Sequence, residues 1–321
     1  MTGVWPASGT TRPGFGLSQI RIALDAGRTL RVRRLFALTG YGIMAFTIAW
    51  ALANKGLGAD LTVWDRVGDE VRQGISPYYP AAINVQNFFY APPLALLFAG
   101  VSWLPMPVLA VGVFALELAS LRYLAGSWLR VGYLGLIPIT GGELAAGQFN
   151  LVIAAGLAAT LRGDSRLAVV GALAKLSPVL AIRDWRRAGM VLAILALATL
   201  PVAGWWLDWG RQLQYGSTLE LGYPVPIVAR LALALGLIAL APRSRRTGVL
   251  AAAIAIPGLY SYSLVLLYPL VMDPNLGAWI ASWRALPGVG RRRVPAFGAP
   301  RAYPVGASLD APEPVVVAVE M

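Results

Sequence analysis

The chain reads as an all-α polytopic membrane protein with about eight to ten transmembrane or re-entrant helices, given that a full span takes roughly 20 apolar residues. Hydrophobic residues make up 57% of its 321 positions and charged residues only 13%. A soluble domain carries about 25% charged residues. The apolar residues fall into long runs separated by short, arginine-bearing loops. These runs lack the strict alternation of a membrane β-strand, which favours helices over a barrel.

The composition narrows the chemistry further. Neither Cys nor His is present, so disulfides, thiolate metal sites and an imidazole base are excluded. Acid–base work falls to Asp, Glu, Lys or Tyr. No divalent-metal site is evident, and no cofactor is implied with certainty. The net charge of +12 lies in the two tails and in clusters between apolar runs, as the positive-inside rule expects. No folded basic domain or aromatic platform appears, which argues against a nucleic-acid partner.

Residues 1–34 form a polar, basic N-terminal tail, expected in the cytoplasm, that ends in Arg31, Arg33 and Arg34. The first span runs over 35–53. Ala51-Leu52-Ala53 resembles a cleavage site, but the leader is too long and the apolar stretch exceeds a signal-peptide core. The 54–89 loop is then external. Within it Leu61, Trp64, Val67 and Val71 recur at helical spacing opposite a charged face, predicting an amphipathic helix over 60–73 that lies along the interface. Gly74 ends it, Pro77 to Pro80 form a rigid turn, and Phe88, Phe89 and Tyr90 suit an interface belt.

Further apolar runs cover 91–104, 106–124, 128–140, 145–161, 166–182, 188–207, 224–241, 247–258 and 260–272. Several are short for a span, and short helices belong where their ends are packed in protein or line a polar cavity. Pro257 predicts a break in the last block. Arg183, Arg186 and Arg187 are expected inside, with Arg243, Arg245 and Arg246, and the loop around Trp205, Trp206, Asp208 and Glu220 outside. Counting every run as a crossing leaves Arg122, Arg130, Arg162 and Arg166 outside, against the rule. Either some runs are re-entrant or those arginines meet an external anion. The membrane domain extends over 35–283, and the Pro-rich basic tail 284–321 is expected to be disordered.

Four constellations have chemical potential. Asp60, at the mouth of the first helix and followed by Gly74 and Tyr78, is placed to act as a general base or as a helix cap. Gln148 and Asn150, in Gly147-Gln148-Phe149-Asn150, open an apolar run, where amides bond a sugar or phosphate, or a neighbouring helix. Lys175 stands inside an apolar run ahead of Pro178. A lysine there suits a phosphate, or pairs with an acid such as Glu143 or Glu117. Tyr260, Tyr262 and Tyr268, near the proline break, are ligand contacts or interface anchors.

In this order the four constellations resemble glycosyltransferase family 87. The resemblance rests on Asp60-Leu61-Thr62-Val63-Trp64, Gly74 with Tyr78, Phe89-Tyr90-Ala91-Pro92-Pro93, Gly147-Gln148-Phe149-Asn150 and Lys175-Leu176-Ser177-Pro178, and covers about residues 35–272. It implies a C-type glycosyltransferase fold and transfer of mannose or a related hexose from a polyprenyl-phosphate sugar to a lipid or glycan hydroxyl at the external face of the cell membrane. Asp60 would be the base and Lys175 would hold the phosphate. Tyr78, Tyr90, Gln148, Asn150 and Tyr262 would line the substrate site. Ile256 to Tyr262 lacks the acid and the His of the family's late motif, and the chain is shorter than most relatives. The rival readings are a transporter or lipid flippase, though no inverted repeat is visible, and an inactive relative acting as a partner.

Overall fold

The structure, a computed structural model, describes residues 17–55, 59–78, 88–216, 226–256 and 261–284. It is all-helical among these residues. The N-terminal helix α1 (Leu17–Lys55) begins well inside the basic tail, ahead of the apolar run, and its apolar part, Thr29–Asn54, is long enough to cross a membrane. Then come α2 (Ala59–Arg72), α3 (Pro92–Val101), α4 (Met106–Ala125), α5 (Trp128–Gly135) and α6 (Pro138–Ala146). The second half contains α7 (Asn150–Leu161), α8 (Arg166–Lys175), a 3-10 turn at Ser177–Ala181, α9 (Trp185–Ala198) and α10 (Gly204–Gly216). It closes with α11 (Ile227–Leu240), α12 (Arg245–Ile254), a 3-10 stretch Ser261–Leu267 and α13 (Tyr268–Val271). The last helix, α14 (Leu276–Arg284), falls in a separate unit that starts at Gly277 and is tied internally by an edge-to-face pair of Trp279 and Trp283.

The count of spans is smaller than the apolar runs suggest. Among the described residues two helices, Thr29–Asn54 and Met106–Ala125, are long and apolar enough to cross a membrane, or up to four if bent pairs count as single spans. The physical reason is that apolar composition continues through turns. The runs read as 128–140 and 145–161 are divided instead at Leu136–Ile137 and at 147–149, where α6 and α7 meet at 114°. Gly147 makes that bend, with φ +67° at the C-terminus of α6 and its N–H bonded to Glu143 O; an L side chain rarely adopts such a φ.

The run 166–182 is a hairpin. Its first and last residues lie together, because Ser165 Oγ accepts from the backbone N–H of both Arg183 and Asp184 at 3.5 Å. Between them α8 runs out and the 177–181 turn runs back, and a Cβ on Gly171 would lie 3.4 Å from the Pro178 ring.

At the centre is α7, buried at every position except Val152 and Leu161. It packs antiparallel to α8. A Cβ on Gly156 would fall 2.7 Å from Leu167 O, and one on Gly171 3.2 Å from Ile153 Cγ2. The α1 helix packs on α5 and α6 at similarly close range. A Cβ on Gly132 would sit 2.6 Å from Ala37 O, and one on Gly141 2.8 Å from Met44 O. Small residues let apolar helices approach where no hydrophobic drive exists between them in lipid.

Arginines from several turns gather at one end. Arg162 donates to Tyr123 O and stacks on the Tyr123 ring at 4.4 Å, joining the α4–α5 turn to the α7–α8 turn. Arg122 lies over Trp128, whose carbonyl accepts from Tyr41 of α1 at 2.7 Å. Gly163 faces the Arg245 guanidinium. Arg122, Arg130, Arg162 and Arg166 therefore share an end with Arg183 and Arg243 to Arg246.

Candidate active site

The far end of the α7–α8 pair lies away from the arginines. The tight 162–165 turn ends α7 and starts α8. At 1.5 Å per residue, α7 extends about 18 Å and α8 about 15 Å. The pairing of Gly156 with Leu167 and of Ile153 with Gly171 continues to Asn150 opposite Leu173 and Ala174. Asn150 and Lys175, 25 positions apart in sequence, thus share one end.

Asn150 is held by three hydrogen bonds. Its backbone N–H donates to Glu143 Oε1 at 3.0 Å, and its Nδ2 donates to Glu143 Oε2 at 3.2 Å and to Gln148 Oε1 at 3.0 Å. Glu143 and Asn150 are completely buried, and Gln148 nearly so. The Glu143 carboxylate lies at the N-terminus of α7, where a negative charge meets the positive end of the helix dipole. With two acceptors facing Nδ2, the amide orientation is fixed. Asn150 Oδ1 is then a buried acceptor with no partner among the described residues. Lys175 ends α8, where a cation is favoured by the dipole, and is half-buried.

An aromatic cluster covers this end. Trp64 of α2 stacks on Phe149 at 4.5 Å and on Phe98 at 4.8 Å, and Tyr90 meets both Trp64 and Phe149 at 6.2 and 6.1 Å. The buried Tyr78 hydroxyl donates to Tyr90 O at 2.9 Å. Burial pushes the Tyr78 phenol far above its usual range, so it stays a neutral donor. The next residue, Ala91, donates its backbone N–H to Leu173 O at 2.8 Å, which joins this segment to α8 two residues before Lys175.

Of the residues singled out in sequence, Tyr78, Tyr90, Gln148, Asn150 and Lys175 are thus linked at one end through direct contacts or their immediate neighbours. Asp60 is the second residue of α2, inside the first turn rather than at the capping position, and its side chain lies outside the described residues. Tyr262 lies in the 261–267 stretch, and its side chain also lies outside them. Tyr268 bonds Thr140 at 2.7 Å and is buried.

Sequence reasoning weighed Glu143 only as a counter-ion for Lys175, and missed its hold on Asn150. It also missed α10, where Gln212 donates to Phe88 O at 2.6 Å and Trp209 to Phe89 O at 2.9 Å. Ser76 donates to Asp208 Oδ2 at 3.4 Å. The two loops that charge assigns to the same side, around 60–90 and 205–212, therefore touch. The signal for α10 was present in the spacing of Trp205, Trp209 and Gln212 on one helical face.

Among the described residues the chain is all-helical, with two to four helices or bent pairs long and apolar enough to cross a membrane and a polar helix end covered by aromatic rings. No family model, curated protein or solved structure matches the chain.

Proposed function

We propose that the chain is a membrane glycosyltransferase that moves a hexose, mannose or a close relative, from a polyprenyl-phosphate carrier to a hydroxyl of a lipid or glycan. One observation carries the reading: residues scattered from Trp64 to Lys175 lie together at the end of the α7–α8 pair, covered by the helix that bears Asp60. By the positive-inside rule the arginine end faces the cytoplasm and this end faces outward. At about 15 Å from the arginine end, Lys175 would sit near the middle of a hydrocarbon core of about 30 Å, within reach of a lipid phosphate that enters sideways.

In this reading Asp60 accepts the proton of the acceptor hydroxyl as its oxygen bonds to the anomeric carbon. The bond from that carbon to the carrier phosphate oxygen breaks, and the polyprenyl phosphate leaves with the electron pair. Lys175 stabilises the charge that develops there. A single displacement of this kind inverts the anomeric centre. Asn150 Oδ1 supplies an acceptor for a sugar hydroxyl, and Tyr78 holds the Tyr90 segment in place.

The test is incubation of the purified chain in proteoliposomes with labelled polyprenyl-phosphate mannose and a membrane lipid extract. Label in a new lipid or glycan supports the reading, and comparison of lipids with and without the gene identifies the acceptor. Movement of intact labelled carrier across the bilayer without transfer would favour a flippase, a class that also uses broken helices such as α6–α7.

A further inference from the structure

The arginine cluster lines a cavity, away from the Asn150–Lys175 end. It measures about 650 Å³ and is lined by Leu161, Arg183, Arg243, Ser244, Arg245 and Arg246. The Arg183 guanidinium is fixed from one side only: Nη1 donates to Leu180 O at 2.8 Å and to Ile182 O at 3.1 Å. Its Nε and Nη2 are buried and have no partner among the described residues. Gly248 makes room for it, since a Cβ there would lie 2.7 Å from Nη2.

This guanidinium therefore lies against the first turns of α12, and the cavity includes that helix's N-terminus. Ser244 caps the helix by accepting from the Thr247 N–H at 3.2 Å. The N–H groups of Arg245 and Arg246 have no acceptor within the helix, and the dipole adds positive potential there.

The nearby acids are already engaged. Asp273 pairs with Arg246, Asp164 with Arg166 and Asp184 with Arg187. Among the described residues no carboxylate pairs with Arg183, Arg243 or Arg245. Burial lowers the Arg183 guanidinium from its ordinary range, which marks a cation that lacks its counter-charge. Planar forks and free helix N–H groups together suit a tetrahedral phosphate group.

We propose that this cavity binds a phosphate group, with Arg183 and the α12 N-terminus as its two fixed walls and Arg243 and Arg245 closing on it. The group comes either from an anionic lipid headgroup or from free phosphate. The site does not depend on the glycosyltransferase reading and lies at the other end of the α7–α8 pair.

The full chain is placed in nanodiscs of phosphatidylcholine alone, or with a minority of phosphatidylglycerol, and each preparation is read by thermal unfolding and by native mass spectrometry. Inorganic phosphate is titrated into the phosphatidylcholine discs. Retained phosphatidylglycerol with a raised midpoint identifies a lipid source. A midpoint that rises with phosphate identifies a soluble one. Arg183→Gln weakens whichever binding is seen by about tenfold or more, as loss of hydrogen bonds to a charged group requires. Should that variant not fold, Arg245→Gln, at the exposed rim, gives the same direction of loss in a folded chain. No response to either ligand in the wild type, or unchanged binding in the folded variants, overturns the site.

Discussion

Trp64 lies flat on Phe149, ring centroids 4.5 Å apart and planes within 15°. This one contact joins the loop after the first helix to the bend between α6 and α7, 85 positions later in the chain. It places the helix that carries Asp60 against the Asn150–Lys175 end.

Removing either ring should loosen that packing. Trp64 is 4% exposed, so Trp64→Ala is expected to cost about 3 kcal/mol or more of stability. Phe149→Ala should cost somewhat less, because Phe149 is only partly buried. The double variant should fall short of the sum by about 0.5–1.5 kcal/mol, the coupling typical of a ring pair. Thermal unfolding of the four chains in one detergent measures this, and full additivity would show that the rings act separately.

Glu143 should matter to the site more than to the helix count. Glu143→Gln keeps the shape but turns one acceptor oxygen into a donor that faces Asn150, at an expected cost of about 1–3 kcal/mol. Asn150→Asp should do more harm, because it sets a second carboxylate against the first in a dry site. The unfolding midpoints of the two variants rank the effects, and a silent Glu143→Gln would remove the cap at α7.

The native chain has no cysteine, so engineered pairs report without background. Ile153→Cys with Gly171→Cys should form a disulfide on mild oxidation, since a Cβ on Gly171 would lie 3.2 Å from Ile153 Cγ2, one bond out from the Ile153 Cβ, and a disulfide joins side chains in such close contact. Val152→Cys with Gly171→Cys should not, because Val152 lies off the buried face of α7. Mass spectrometry of the oxidised peptides reads the outcome, and equal yields from both pairs would contradict the α7–α8 register.

Acid should weaken the tie between α12 and the end of α13. Burial acts to raise the Asp273 carboxyl, but hydrogen bonds from Arg246 and the Asn275 N–H, with the Arg246 charge, outweigh it and leave it below its ordinary 3.8. A carboxyl lowered in the folded state contributes stability above its unfolded value and loses it as the pH falls through the lower folded one. With Arg246 about a third exposed, the expected contribution is about 1 kcal/mol. Asp273→Asn should remove that part of the acid-limb slope, and identical pH profiles would exclude the pair as a contributor.

Much of this architecture is legible in the chain, for physical reasons that differ by element. The spans in α1 and α4 are announced by uninterrupted apolar length, and α2 by Leu61, Trp64, Val67 and Val71 on one face, all buried or half-buried in the structure. The turns at 147–149 and 176–178 are not announced by composition. Both lie within apolar runs, and lipid-like residues continue through them because the turns pack against other helices rather than meet water. Arg162 and Arg166 gave the one hint, by violating the charge rule if every run crossed. Among site residues, Gln148, Asn150 and Lys175 stand out as polar groups in apolar runs. Glu143 and Gln212 were harder to recognise, because their roles depend on partners brought together only by the bend and by α10.

The central proposal is that Asp60, on the helix whose Trp64 packs at the Asn150–Lys175 end, drives sugar transfer, and the most direct measurement is the transfer rate of purified Asp60→Asn beside the wild type in the proteoliposome assay. Loss of a general base is expected to lower the rate by about 10²–10⁴-fold, with folding and carrier binding retained. Lys175→Met, measured alongside, should chiefly weaken carrier binding. Wild-type transfer by a folded Asp60→Asn chain would contradict the account.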